Sequence, residues 1–260
     1  MDRTLETNTL RGIIDRALTY SDEDHLITAG TDEYQFDVDG FLTQRTTASG
    51  LTTFDYSSRG ELLEANLPDA TVISYDHDPM GGRIAKRIND VIVEKYLWAG
   101  SIQLLAVFDG SDNLLMRFNY ADARMPVSMT YNSSTYYLSY DQVGSLRLVS
   151  DTSGNIVKQI SYDSFGNIIN DSSPSFAIPF SFAGGLHDRD TELVRFGARD
   201  YDPTIGKWTA KDPIDFAGGD ANLYGYVGNN PVNYVDPEGE SITGVIIVVA
   251  AAYGIIQGIE

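Results

Sequence analysis

A mostly β fold, an extended antiparallel sheet of hairpins, is the architecture this sequence predicts, on three observations. The first is a repeated frame of aromatic residue, Asp, two residues, Gly, one residue and an aliphatic residue. It is clearest in Phe36-Asp37-Val38-Asp39-Gly40-Phe41-Leu42, Tyr140-Asp141-Gln142-Val143-Gly144-Ser145-Leu146 and Tyr162-Asp163-Ser164-Phe165-Gly166-Asn167-Ile168, and its Gly recurs about every twenty residues, at positions 40, 60 and 81 and again at 144 and 166. The second is alternation of aromatic or β-branched residues with polar ones between the frames, as in Tyr136-Tyr137-Leu138-Ser139-Tyr140 and Ile156-Val157-Lys158-Gln159-Ile160-Ser161-Tyr162. The third is the lack of a comparable helical period before residue 240.

Taken in order, the chain opens on Asn8 to Leu18, where Leu10, Ile13, Ile14 and Ala17 fit either one helix or a strand pair. Looser copies of the frame follow at Tyr20 to Leu26 and at Tyr56 to Leu62, and His77-Asp78-Pro79-Met80-Gly81-Gly82-Arg83-Ile84 is another. Each predicts a hairpin turn. The carboxylate accepts backbone N–H groups two or more residues on and the Gly supplies a positive φ, together a type I turn with a G1 bulge. Phe108 to Leu114 reads as a degenerate copy filling the gap between Gly81 and Gly144, and Asp151 to Ile156 as a half-repeat. The hairpin array spans 1–175. From Phe176 the repeat stops, and 176–240 is rich in Gly, aromatics and Asp-Pro pairs, at Asp202, Asp212 and Asp236, each of which opens a turn. The remainder, 241–260, begins an apolar run from Ile242 to Ile256.

Composition narrows the function. The 260 residues hold 18 Lys+Arg against 37 Asp+Glu, a net charge of −19, with no Cys. Disulfide scaffolds and Cys-based zinc sites are excluded, and nucleic acid is an unsuitable partner for so acidic a chain, because its phosphates demand clustered cations. His25, His77 and His187 are too scattered in sequence to suggest a metal centre, and the acidic clusters lack the calcium-loop ladder. No metal and no cofactor is expected.

The tyrosine–aspartate frame resembles the YD repeat of Rhs proteins, teneurins and insecticidal toxin-complex C components, over about residues 15 to 240. That resemblance implies hairpins spiralling into a hollow shell. The segment that includes Arg199-Asp200-Tyr201-Asp202-Pro203, Lys211-Asp212-Pro213-Ile214, Asn222-Leu223-Tyr224, Asn229-Asn230-Pro231 and Asp236-Pro237-Glu238-Gly239-Glu240 resembles the Rhs repeat-associated core, which caps such a shell. In the family this core is an aspartyl-type autoprotease that cuts after a terminal Asp-Pro-x-Gly-Leu motif and releases an enclosed toxin. Matched motif to motif, the resemblance assigns Asp212 and Asp236 as the catalytic pair, with Asp220 as an alternative partner and Lys211 or Arg199 as an orienting charge. Two carboxylates that share one proton supply the base and the acid such a hydrolysis needs. The cleavage position is Glu240, where the family has Leu.

The chain is therefore read first as the C-terminal part of an enclosing or presenting shell, around a C-terminal polypeptide or joined to more shell, and second as a self-cleaving protease. A glycan-binding face of exposed tyrosines is a third reading. The partners and location implied are a secretion machinery or cell surface and a secreted or surface-associated protein. No signal peptide is visible at the start of this chain. The repeats begin with no N-terminal cap, which predicts an open sheet edge. The 15 residues from Ile242 to Ile256 would span ~22 Å as a helix, short of a ~30 Å hydrocarbon core. They are open to three readings: a short apolar helix threaded into the shell, a membrane-active segment, or an aggregation-prone tail.

Overall fold

The computed structural model describes residues 2–121 and 124–244. A single antiparallel meander makes up the first two thirds. Its strands are β1 (Leu5–Asn8), β2 (Ile13–Tyr20), β3 (Leu26–Ala29), β4 (Asp32–Phe36), β5 (Leu42–Thr47) and β6 (Gly50–Tyr56). It continues through β7 (Leu62–Asn66), β8 (Val72–His77), β9 (Arg83–Ile88), β10 (Val91–Ala99), β11 (Gln103–Phe108) and β12 (Leu114–Asn119). It ends with β13 (Ser128–Tyr131), β14 (Ser134–Tyr140), β15 (Leu146–Asp151), β16 (Ile156–Tyr162) and β17 (Ile168–Asp171). Each strand pairs with the next in sequence, so the sheet has 17 strands.

The first ambiguity resolves to strands. Residues 5–20 form a hairpin around the short 3-10 turn Thr9–Arg11, because Gly12 at φ 69 reverses the chain where a helix would have to continue.

The repeated frame is a turn of fixed chemistry. In the copy at Asp37, Oδ1 accepts from Asp39 N at 3.0 Å and Phe41 N at 2.9 Å, and Gly40 adopts φ 85. The strand register shifts beside the aromatic residue, as a bulge requires. Asp78, Asp141 and Asp163 repeat these bonds, and Ser21 and Ser57 make them through Oγ. These turns follow even-numbered strands and so lie on one rim. The turns at Asp109 and Asp151 use the same bonds but follow β11 and β15, which puts them on the opposite rim. The copy at Phe108 is therefore not a missing member of the rim series. Within the gap between Gly81 and Gly144 the rim connections follow β10, where Gly100 has φ 69 and the turn lacks the aspartate, and β12.

Among the described strands, none pairs with the outer side of β1 or of β17, so the sheet keeps two open edges. Its ends nevertheless meet. Asn8, at the far end of β1, donates to Asp163 Oδ2 at 2.7 Å, in the near-rim turn of the last hairpin. Opposite rims thus come together, and the sheet spirals with an axial offset.

What the sheet wraps is the described segment that follows it, 172–244. This carries β18 (Leu186–His187), β19 (Val194–Phe196), β20 (Arg199–Asp202) and β21 (Lys207–Trp208), then β22 (Tyr234–Val235) and β23 (Thr243–Gly244). Inward residues of β2 to β8 pack against Leu193 and Ile205, those of β10 to β16 against Ile178, Phe180 and Leu186. The centre is an aromatic cluster of Phe182, Phe196, Tyr201, Trp208 and Tyr226 with ring centroids 4.5 to 6.2 Å apart. Burying it against the concave face gives a one-sided sheet its second layer. The apolar helix expected within 242–256 lies almost wholly outside the described residues, and no helix among those described is long and apolar enough to cross a membrane.

Candidate functional site

Two sets of buried charges matter, and only one is foreshadowed by motif. It lies where the 236–240 loop crosses the β19–β20 turn. Ala198 N donates to Glu238 O at 2.8 Å, and Gly197 and Gly239 pack so closely here that a Cβ on either would fall 2.3 to 2.4 Å from backbone oxygen. This contact brings Arg199 under the loop. Its Nη2 lies 2.9 Å from Asp212 Oδ2 and 3.2 Å from Asp236 Oδ2, while Nε donates to Gly239 O at 2.6 Å and Nη1 to Leu223 O at 3.1 Å. The guanidinium also lies over the Trp208 ring, 4.2 Å from its centroid.

The other oxygens of the pair are engaged as well. Asp236 Oδ1 accepts from both Glu240 N and Ser241 N at 3.0 Å, and Asp212 Oδ1 accepts from Ile214 N at 3.0 Å. Gly218 is wedged between Glu240 O and Asp212 Oδ2, its missing Cβ only 2.6 and 2.8 Å from them. The two aspartates therefore converge on one guanidinium nitrogen, beside the peptide bond that follows Glu240.

Burial governs the protonation of the cluster. It pushes the Asp212 and Asp236 carboxyls above the usual carboxylate range despite the opposing pull of Arg199. Arg199 is pulled down, again by burial first, against the two carboxylates. Ion pairing alone would move each partner the other way, so desolvation outweighs it on both sides. Glu240 is also raised, by burial and then by Glu238, Asp212 and Asp236.

Of the other candidates, Asp220 caps its own turn through Asn222 N at 2.9 Å, and Lys211 is exposed near Gly40. The geometry joins Arg199, Asp212, Asp236 and Glu240, and leaves Lys211 and Asp220 out.

The second set, which motif reasoning missed, fixes the inner segment to the sheet. Asp200 receives Arg83 Nη2 at 3.0 and 3.1 Å and Arg195 Nη1 at 2.9 Å, with its side chain wholly buried. Arg45 reaches Asp202 at 2.9 Å, and Lys86 and Tyr75 Oη reach Asp188 at 2.8 Å each. A signal existed. Arg83 stands in the aliphatic slot of the frame, a slot filled on the same rim by Leu26, Leu42, Leu62 and Leu146, all at most 1% exposed, and by the exposed Ile168, and Arg83 itself is only 3% exposed. A cation in a core slot announces a buried anion.

Residues 5–232 match the family described as Teneurin YD-shell. The chain belongs to the Teneurin YD-shell family. Similar proteins include Teneurin-3 of Danio rerio, 31% identical over 245 residues (88% of this chain, 9% of that protein), and Teneurin-1 of Gallus gallus, 29% identical over 228 residues (84% and 8%). Another is the tRNA3(Ser)-specific nuclease WapA of Bacillus spizizenii, 27% identical over 251 residues (95% and 10%). The chain thus spans about a tenth of the length of these relatives. Its fold resembles that of a chain in the Photorhabdus luminescens Tc holotoxin pore, at TM-score 0.63 and 19% identity, covering 91% of this chain and 13% of that one. The protein is accordingly a YD-shell module, with teneurins and WapA among its relatives.

Proposed function

We propose that this YD-shell module encloses a polypeptide, with the hairpin array 1–175 as wall, 176–240 as plug and 241–260 as the start of the passenger. The observation that carries this reading is the way the inner segment is seated. Its residues bond the frame-bearing rim at several turns: Tyr224 Oη donates to Gly40 O at 2.9 Å, Arg195 Nη2 to Gly81 O at 3.3 Å and Tyr201 Oη to Phe165 O at 2.8 Å. Beneath it, clefts of about 410 and 430 Å³ share Arg11, Glu192 and Thr204. Both clefts are lined jointly by the sheet and the inner segment, with Ile160, Ile178 and Val194 in the first and Tyr34 and Leu67 in the second. The enclosed polypeptide, any further shell and the delivery machinery or cell surface are the partners proposed, by analogy with a toxin holocomplex. The test is a protease site appended after Glu260, compared with the same site inserted between Ser153 and Gly154 on the far rim. Protection of the first and rapid cutting of the second is expected; equal cutting defeats the proposal.

A second reading is favoured by one observation: Asp236 Oδ1 accepts the N–H of Ser241, the nitrogen that would leave if the chain were cut after Glu240. On this reading Asp236 gives the leaving nitrogen its proton and Asp212 takes one from the attacking water, while Arg199 positions both. Lys211 and Asp220 have no part in the step. Cleavage would remove the last 20 residues, visible in the intact mass. Wild-type chain left whole over days at mildly acidic pH counts against it, as does unchanged cutting in Asp212→Asn.

A further inference from the structure

Resting on the self-cleavage reading, we propose that Glu240 is the gate of that reaction: its side-chain carboxylate holds the Glu240–Ser241 bond closed to attack while ionised and releases it on taking up a proton.

The argument begins with a charge count around one cation. Asp212 and Asp215 face the site from the loop after β21, Asp236 and Glu238 from the crossing loop, and Arg199 from β20. Every nitrogen of Arg199 is engaged: Nε with Gly239 O, Nη1 with Leu223 O and Nη2 with the two aspartates. Among the described residues no cation forms an ion pair with Glu240, and its own backbone N–H is spent on Asp236. Glu240 is thus a partly buried carboxylate in the field of several others, with one guanidinium already shared.

Hydrolysis makes this worse before it is relieved. The water oxygen bonds to the Glu240 carbonyl carbon as one aspartate takes a water proton. The bond to Ser241 N then breaks, and the other aspartate supplies the proton for the new amine. Negative charge develops on the Glu240 carbonyl oxygen, within the same residue as its ionised side chain and beside Asp212 across Gly218. Like charges in a partly desolvated site oppose that development, and a protonated Glu240 removes one of them. An apolar residue at the same position would carry no such charge at any pH. Burial and the neighbouring carboxylates raise the Glu240 carboxyl above its ordinary range, so the release comes at a higher pH than a free glutamate would give.

The test follows the intact mass of the full chain incubated between about pH 8 and about pH 5, for wild type, Glu240→Gln, Glu240→Leu and Asp212→Asn. Wild type is expected to cut about tenfold faster or more at the acid end, and Glu240→Gln and Glu240→Leu to cut at the alkaline end about tenfold faster than wild type, with a flattened profile. If those two variants keep the wild-type profile, or lose cutting, while Asp212→Asn abolishes it, the gate is wrong and the protease reading stands. If no chain is cut at any pH, the protease reading falls and takes the gate with it.

Discussion

Replacing Asp200 by Asn should detach the inner segment from the sheet. Asp200 is the sole carboxylate hydrogen-bonded to both Arg83 and Arg195 among the described residues, and the three side chains are 0%, 2% and 3% exposed. Burial pushes the Asp200 carboxyl up, yet the two guanidiniums overcome it and hold the group below its ordinary value. Asn keeps the shape and removes the charge, leaving two desolvated cations face to face, and its amide presents donors to donors. Breaking a buried pair from one side costs about 3–5 kcal/mol. At about 2–4 °C per kcal/mol for a chain of this size, the midpoint should fall by roughly 10 °C. Arg83→Leu should cost less, because Asp200 keeps Arg195 and leucine is what the frame places in that slot elsewhere. Tryptophan fluorescence in urea reads both sides of the contact. Trp98 Nε1 donates to Arg83 O at 2.7 Å, whereas Trp208 sits in the aromatic centre. Lys95→Ala, which removes an exposed pair with Asp112, serves as control and should shift stability by under about 1 kcal/mol. If Asp200→Asn loses no more than this control, or if Arg83→Leu is the more damaging change, the electrostatic account of the seat is refuted.

Other outcomes follow from the same packing. Burial holds the His77 ring neutral to about pH 4, its two nitrogens lack partners, and it occupies the aromatic slot of the frame. A base whose folded value lies below its unfolded 6.5 adds stability that is complete above 6.5 and is lost as pH falls toward 4. His77→Phe should therefore weaken the fall in stability across that window, measured by urea midpoints at about pH 7 and about pH 4.5; equal slopes in both proteins contradict it. Asp188, buried and held at about 2 chiefly by Lys86 against the penalty of burial, should contribute stability that is intact above 3.8 and lost between 3.8 and 2, so Asp188→Asn should flatten acid unfolding only there. Gly166 and Gly154 both have positive φ, but a Cβ on Gly166 would fall 2.3 Å from the Phe182 ring whereas one on Gly154 meets nothing within 4 Å. Gly154→Ala should cost about 1–2 kcal/mol from backbone strain and Gly166→Ala a further 1–3 kcal/mol from overpacking, by thermal or urea melts; equal costs would remove Phe182 from the account.

The amino-acid sequence by itself determined what is local. An Asp or Ser oxygen, a glycine and alternating apolar residues are enough to specify a turn, a bulge and two strands, since each needs partners only a few residues away. Asp37, Asp141 and Asp163 make the bonds their frame predicts. The same logic could not say which rim a turn occupies, and it placed the Phe108 copy in the wrong series, because turn chemistry is identical on both rims and only counting strands separates them. Nor could it choose between helix and hairpin at residues 8–18, where the apolar spacing fits both and β1 is fixed by pairing with β2. The resemblance to the Rhs core brought Asp212 and Asp236 forward as a pair, with Asp220 as an alternative partner and Lys211 or Arg199 as an orienting charge. Only the tertiary structure separated these, because Arg199 reaches the first two through a loop crossing 40 residues downstream in the chain. Asp202 reads from the sequence as the opening of a turn, and no local pattern marks Asp200 or Asp188. Their partners, Arg83, Arg45 and Lys86, lie more than a hundred residues earlier, and a charge becomes a buried anchor only when folding removes its water and supplies the opposite charge from elsewhere in the chain.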